Sequence, residues 1–193
     1  AISLVGMTEL YKIVGVHNKA LGVVGYLAAL AYYGLLWCKA MEYVTMLSIL
    51  FLILLMAVYV FSFPAFRAEQ VMTVFFGFFY VAVMLSYVYQ TRILPDGGVV
   101  VWLIFLSSWG CDTCAYCSGM LLGRHKLAPV LSPKKSIEGA VGGAVGAALL
   151  GFIYAALFAS HMSGVENPQL VCTAACAIAA VISQIGDLAT SAI

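Results

Sequence analysis

Residues 119–137 of this 193-residue chain have the sequence GMLLGRHKLAPVLSPKKSI. The loop holds four of the nine lysine and arginine residues, Arg124, Lys126, Lys134 and Lys135, although only 9% of all residues are charged. Long apolar segments lie on both sides of it. The stretch is therefore predicted to be a cationic loop held against a membrane, where its charge favours a phosphate-bearing partner.

Composition predicts the fold class. Hydrophobic residues make up 64% of the chain, whereas roughly half is usual in soluble domains. Several apolar stretches approach the roughly 20 residues that a helix needs to cross a bilayer, and no stretch alternates like a barrel strand. We expect an all-α integral membrane protein with about six transmembrane helices and an N-terminal amphipathic interfacial helix in residues 1–19. The predicted spans are residues 20–37, 42–63, 71–90, 99–119, 138–160 and 169–184.

We expect residues 1–193 to form a single transmembrane domain, with N-terminal helices in residues 1–98 and the helices and cationic loop of the site in residues 99–193. The net charge of +1 is too small to indicate nucleic-acid binding. All six cysteines lie in or beside apolar segments, which predicts small packing residues rather than a disulfide framework.

The distribution of charge predicts the orientation. If the cationic loop faces the cytoplasm, seven lysine and arginine residues lie on that side and two, Lys39 and Arg92, on the other. Asp112 would then lie roughly 10 Å from the cytoplasmic end of its helix, if that helix ends at Gly119. We therefore expect a multi-pass protein of the cell (inner) membrane, with Asp112, Asp187 and the lysines meeting on the cytoplasmic side.

Two carboxylates are candidates for chemistry. A carboxylate inside a span costs about 2.5–3.5 kcal/mol on insertion scales, so Asp112 should face a cavity or a partner. A functional role is favoured over a structural hydrogen bond, and Tyr116, one turn further on, is expected to orient the carboxylate. Asp187 is predicted near the interface on the same side. Two carboxylates facing lysines suit Mg²⁺, which binds carboxylates together with phosphate oxygens.

The segment Ser132-Pro133-Lys134-Lys135 predicts a helix start, with serine as the N-cap and proline in the first turn. Free N–H groups and two lysines at that point would bind phosphate, with topogenic charge as the alternative. For Glu138, an ion pair with a lysine is favoured over contact with a metal.

Small residues surround these candidates. Two G-x-x-x-G pairs, Gly139 with Gly143 and Gly142 with Gly146, predict close helix packing. Cys111, Cys114 and Cys117 are interpreted as packing residues, because no second Cys/His pair completes a zinc site. His125 and Lys126 are predicted to be a solvated pair at the interface.

Three motifs resemble, in order and spacing, the phosphatidate cytidylyltransferases, also called CDP-diacylglycerol synthases. They are CDTCAYCSGMLLGRHKL in residues 111–127, SPKKSIEG in residues 132–139 and SQIGDLATSAI in residues 183–193. The match covers about residues 110–193, and earlier residues match only as hydrophobic spans. The family signature continues into Lys-Arg, His-Gly-Gly and Asp-Arg-x-Asp, which are expected to complete the site, so the 193 residues alone are expected to be inactive.

The resemblance implies that the cytidylyl group of CTP is transferred to phosphatidic acid, giving CDP-diacylglycerol and pyrophosphate in phospholipid biosynthesis. It implies four catalytic residues, two of which, Asp112 and Asp187, also bind Mg²⁺; the other two are Lys134 and Lys135. The substrate-binding candidates are Arg124, Lys126, Ser132, Glu138 and Ser191. A CTP-dependent polyprenol (dolichol-type) kinase and a membrane transporter that uses Asp112 as an ion site remain alternatives, and a homodimer is left open.

Overall fold

The computed structural model describes residues 1–162 and 164–191. Six helical segments in this part of the chain are long and apolar enough to cross a membrane. The predicted fold class, an all-α integral membrane protein with about six such helices, is confirmed. The six segments are Ala20–Trp37, Met41–Phe61, Ala68–Arg92, Gly97–Leu122, Ile137–His161 and Pro168–Thr190.

The chain divides into two compact units, Ala1–Tyr89 and Gln90–Ile193. Each unit has its own packed helices, and all of the predicted site residues belong to the second. The predictions of one domain over residues 1–193 and of a cytoplasmic orientation stay predictions.

The first unit is a helical bundle with an aromatic core. Its helices are α1 (Ile2–Ile13), α2 (Ala20–Trp37), α3 (Val44–Phe61), α4 (Ala68–Gly77) and most of α5 (Met84–Arg92), with a π-helical turn at Phe78–Val83. Tyr11, Tyr32, Phe51 and Phe78 are fully buried. The Tyr11 hydroxyl donates to the Val74 carbonyl at 3.0 Å, so its polar atom is satisfied inside the core. The N-terminal helix is present, while its interfacial location stays a prediction.

The second unit is built on three long helices and a short hairpin. Its elements are α6 (Gly97–Val100), α7 (Trp102–Leu122), β1 (Lys126–Ala128), β2 (Ser132–Ser136), α8 (Ile137–Phe158) and α9 (Pro168–Thr190). Helices α7 and α8 approach closely through glycines. A Cβ atom at Gly143 would lie 2.9 Å from Ala115 Cβ, and one at Gly139 would lie 2.9 Å from the Ala115 carbonyl oxygen. The predicted close packing at the G-x-x-x-G pairs is confirmed.

Strand β2 replaces the helix start that was predicted at Ser132. It pairs antiparallel with β1, with Lys126 opposite Ser136 and Ala128 opposite Ser132. Helix α8 begins only at Ile137, and its N-cap is Ser136, whose Oγ accepts the Gly139 N–H at 3.1 Å. The prediction of Ser132 as N-cap is wrong, because a residue that precedes proline favours extended backbone, and proline is tolerated in an edge strand.

Candidate active site

A cavity of about 460 Å³ lies in the second unit, between α7, the hairpin, α8 and α9. Its size is within the roughly 300–1,000 Å³ of small-molecule sites. Five of the predicted site residues line it: Asp112, Ser132, Lys134, Lys135 and Asp187. Apolar wall is supplied by Tyr116, Met120 and Leu127. The cavity therefore combines charged groups of both signs with a surface that suits lipid.

Asp112 lies deeper along its helix than the sequence predicts. Helix α7 continues to Leu122, so Asp112 is about 15 Å from its C-terminal end at 1.5 Å per residue. Within the described residues, no hydrogen bond or ion pair reaches the Asp112 side chain, including none from Tyr116. A charged group in a span needs a polar partner. Asp112 is therefore available to a cation or a polar ligand in the cavity, and the orienting role of Tyr116 stays a prediction.

The two lysines of β2 have different surroundings. The Lys135 ammonium forms an ion pair with the Asp187 carboxylate, which links β2 to the last turn of α9. Lys134 lines the same cavity and has no acidic partner among the described residues. Both lysines lie in a strand rather than in the first turn of a helix, where their charge would have opposed the helix dipole. Lys134 is the cation of this pair that is open to an anion.

The carboxylates fit a magnesium ion better than a structural zinc ion. In the described part of the chain, no group of three or more His, Cys, Asp or Glu side chains is placed to hold a metal. Asp112 and Asp187 do line one cavity. Mg²⁺ is commonly bound through one or two carboxylates, with water and substrate phosphates as the other ligands, whereas structural zinc takes four protein ligands. The donor set is compatible with the predicted Mg²⁺, whose binding stays a prediction.

Glu138 anchors the base of the hairpin. Its Oε1 lies 2.6 Å from Nδ1 of His125, and its Oε2 accepts the Arg124 backbone N–H at 3.1 Å. The predicted ion pair of Glu138 with a lysine is wrong, because the chain brings His125 and its backbone next to the first turn of α8. His125 and Lys126 are both exposed, as predicted, and His125 in addition contacts Glu138. Glu138 is not part of the cavity wall, and its substrate contact stays a prediction.

Three further candidates lie away from the cavity wall. Arg124 and Lys126 are exposed at the start of the hairpin. Ser191 follows α9, and its hydroxyl donates to the Asp187 carbonyl at 2.8 Å, so it closes the end of that helix. Their predicted substrate contacts stay predictions.

Gln184 is a cavity residue that sequence reasoning missed. Its Nε2 donates to the Ala140 carbonyl at 3.0 Å and to Cys111 Sγ at 3.1 Å, so one amide joins α9 to both α8 and α7. Asp187 follows three residues later, on the same side of the helix. The three-residue spacing of Gln184 and Asp187 was the feature of the sequence that could have identified Gln184 as a cavity residue. Cys111 itself is buried, which agrees with its predicted packing role.

Comparison with known proteins places this chain in a family. The whole chain, residues 1–193, matches a family described as the cytidylyltransferase family. The chain belongs to this family. The predicted resemblance is thus confirmed, and similar proteins carry the more specific name.

Three relatives are called phosphatidate cytidylyltransferase. The protein of Staphylococcus saprophyticus is 45% identical over 60 residues, which are 31% of this chain and 22% of that protein. The Staphylococcus epidermidis protein is 37% identical over 84 residues, 44% of this chain and 32% of that protein. The Staphylococcus haemolyticus protein is 48% identical over 60 residues, 31% of this chain and 22% of that protein. The matched segments span less than a third of each relative.

Proposed function

We propose that this member of the cytidylyltransferase family transfers the cytidylyl group of CTP to phosphatidic acid, giving CDP-diacylglycerol and pyrophosphate. The observation that carries the proposal is the presence of Asp112, Lys134, Lys135 and Asp187 in one cavity with an apolar wall. The names of the relatives support the same reaction.

In this reaction an oxygen of the lipid phosphate attacks the α-phosphorus of CTP. A new P–O bond forms there, and the bond from the α-phosphorus to the oxygen that bridges to the β-phosphorus breaks. Pyrophosphate leaves with that electron pair. The attacking phosphate is already an anion, so no general base is needed. Such a transfer depends on positioning and on charge neutralisation.

The residues of the cavity divide these tasks. Lys134, which has no acidic partner among the described residues, would donate charged hydrogen bonds to the β- and γ-phosphates as pyrophosphate departs. Lys135 offsets the charge of Asp187 and keeps that carboxylate at the hairpin. Asp112 and Asp187 would hold Mg²⁺, and the bound ion would neutralise part of the phosphate charge.

The apolar side of the cavity suits the lipid. Met120 and Leu127 line it beside the charged groups, so acyl chains can stay in apolar surroundings while the headgroup meets the lysines. CTP would arrive from water at the same opening. We place the site at the cytoplasmic face of the cell (inner) membrane, because the charge bias of the loops favours this orientation.

The position of a radiolabel tests the reaction directly. The full-length protein is reconstituted with Mg²⁺ in liposomes that contain both phosphatidate and a polyprenol, and CTP is supplied with ³²P in either the α- or the γ-phosphate. Lipid labelled from α-labelled CTP, but not from γ-labelled CTP, is expected. Lipid labelled from γ-labelled CTP would instead indicate a kinase. Ion flux that is indifferent to CTP, without labelled lipid, would support the transporter alternative and contradict the proposal.

A further inference from the structure

The turn of the β1–β2 hairpin is apolar and exposed. It consists of Pro129, Val130 and Leu131, between β1 and β2. The Val130 side chain is 96% exposed and that of Leu131 is 47% exposed. Turns commonly carry Gly, Pro, Asn, Asp or Ser, and Pro129 fits this pattern, whereas Val130 and Leu131 are apolar residues that it does not explain. The turn therefore presents apolar surface outside the candidate spans.

Cations lie on the same hairpin, at its base rather than at the apolar turn. Arg124 and Lys126 are exposed on the side of β1, and within the described residues neither side chain has an acidic partner. Residues 123–137 contain no aspartate or glutamate. An apolar edge beside clustered lysine and arginine is typical of segments that bind the interface of an anionic bilayer. The charge of the hairpin is thus complementary to acidic phospholipid headgroups.

The hairpin is tethered to candidate membrane spans at both ends. Helix α7 ends at Leu122, three residues before His125, and α8 begins directly after β2. Leu121 is 81% exposed at the base of the hairpin, as expected of a side chain that faces lipid. The five residues of β2 extend at most about 17 Å at 3.3 Å per residue. The turn therefore stays within reach of the membrane surface.

The cavity indicates the direction in which the hairpin lies. Leu127 and Lys134 line the same cavity as Asp112, which is about 15 Å back along α7 from its end. Both strands of the hairpin therefore lie against the bundle, at the cavity, rather than extending away from it.

We propose that residues 129–131 insert into the headgroup region of the bilayer, and that Arg124 and Lys126, at the base of the hairpin, bind the phosphates of anionic phospholipids. This surface lies outside the cavity wall and accepts any anionic phospholipid of the bilayer. Its occupation would hold β1 and β2 in place as one wall of the cavity. The inference does not depend on the reaction proposed above.

Photo-cross-linking tests the insertion without any activity assay. p-Benzoylphenylalanine replaces Val130 in the full-length protein, in nanodiscs that contain either phosphatidylglycerol or only phosphatidylcholine. The matched control carries the same group at Glu166, an exposed residue between α8 and α9. Mass spectrometry then measures lipid adducts on each peptide. Because Val130 is almost fully exposed, its replacement is not expected to disturb folding.

The expected result is an adduct with phosphatidylglycerol at position 130 that clearly exceeds the adduct at position 166. Phosphatidylcholine has a phosphate but no net charge, so the yield at position 130 should fall roughly fivefold for each cation that loses an anionic headgroup. The double substitution R124Q/K126Q should lower the yield in phosphatidylglycerol and leave that in phosphatidylcholine unchanged. A yield at position 130 no higher than at position 166, or equal yields in the two lipids, would overturn the proposal.

Discussion

Gly143→Ala perturbs the contact between α7 and α8 that forms the wall of the cavity. A Cβ atom at this position would lie 2.9 Å from Ala115 Cβ, 2.9 Å from the Cys111 carbonyl oxygen and 3.0 Å from Cys111 Sγ. A Cβ atom and a carbonyl oxygen cannot rotate away, so the two helices must separate. Overpacking of this kind costs about 1–3 kcal/mol. The substitution also stabilises the helix by about 1 kcal/mol, because alanine has a higher helix propensity than glycine.

Gly34→Ala in α2 is the matched control. Nothing lies within 4 Å of a Cβ atom at Gly34, so this substitution should only gain the propensity term of about 1 kcal/mol. The free energies of unfolding of the two variants should therefore differ by about 1–3 kcal/mol. For a chain of this size the difference corresponds to roughly 2–12 °C in melting temperature. Thermal unfolding followed by circular dichroism in detergent measures it, and equal shifts for both variants would refute the close packing.

Three other substitutions test separate parts of the site. Lys134→Ala should raise KM for CTP roughly tenfold or more, through loss of a charged hydrogen bond, and leave KM for phosphatidate nearly unchanged; steady-state kinetics with the opposite pattern would assign Lys134 to the lipid. Glu138→Gln should speed hydrogen exchange of the hairpin, because the hydrogen bonds that the charged Glu138 carboxylate accepts from the Arg124 and His125 backbone N–H groups are weakened, and unaltered exchange would argue against this anchor. Gln184→Met should lower the free energy of unfolding by about 1 kcal/mol, because the hydrogen bonds of its amide are lost. Thermal unfolding measures the change, and the control Gln169→Met should show no such shift in melting temperature.

Properties that depend on local composition were predictable from the sequence. The six spans follow from the length of the apolar stretches, and several of them begin or end a few residues away from the predicted bounds. Gly119 illustrates the error. It was taken as the end of its helix, but α7 runs on to Leu122, and a Cβ atom at Gly139 of α8 would lie 3.3 Å from the Gly119 Cα. This glycine serves close packing rather than helix termination.

Contacts between distant residues were not predictable in detail. Serine followed by proline satisfies the rules for both a helix start and an edge strand, and only pairing with β1 decides between them. Gln184 and Cys111 are 73 residues apart, and no local pattern joins them. The motifs and the charge bias did indicate that Asp112 and Asp187 approach the lysines. Which members of that group pair with each other, such as Lys135 with Asp187, became known only from the structure.

The proposed reaction requires the carboxylate of Asp112 for Mg²⁺-dependent transfer from CTP to phosphatidate. Asp112→Asn in the full-length protein tests it most directly, with Asp96→Asn as the matched control, since Asp96 lies outside the cavity wall and accepts the Gly164 N–H. Turnover of α-labelled CTP into lipid should fall by roughly a hundredfold or more in Asp112→Asn, as for loss of one preorganised electrostatic group. The control should keep its activity, and both variants should unfold like the parent. Undiminished Mg²⁺-dependent turnover in Asp112→Asn would contradict the account.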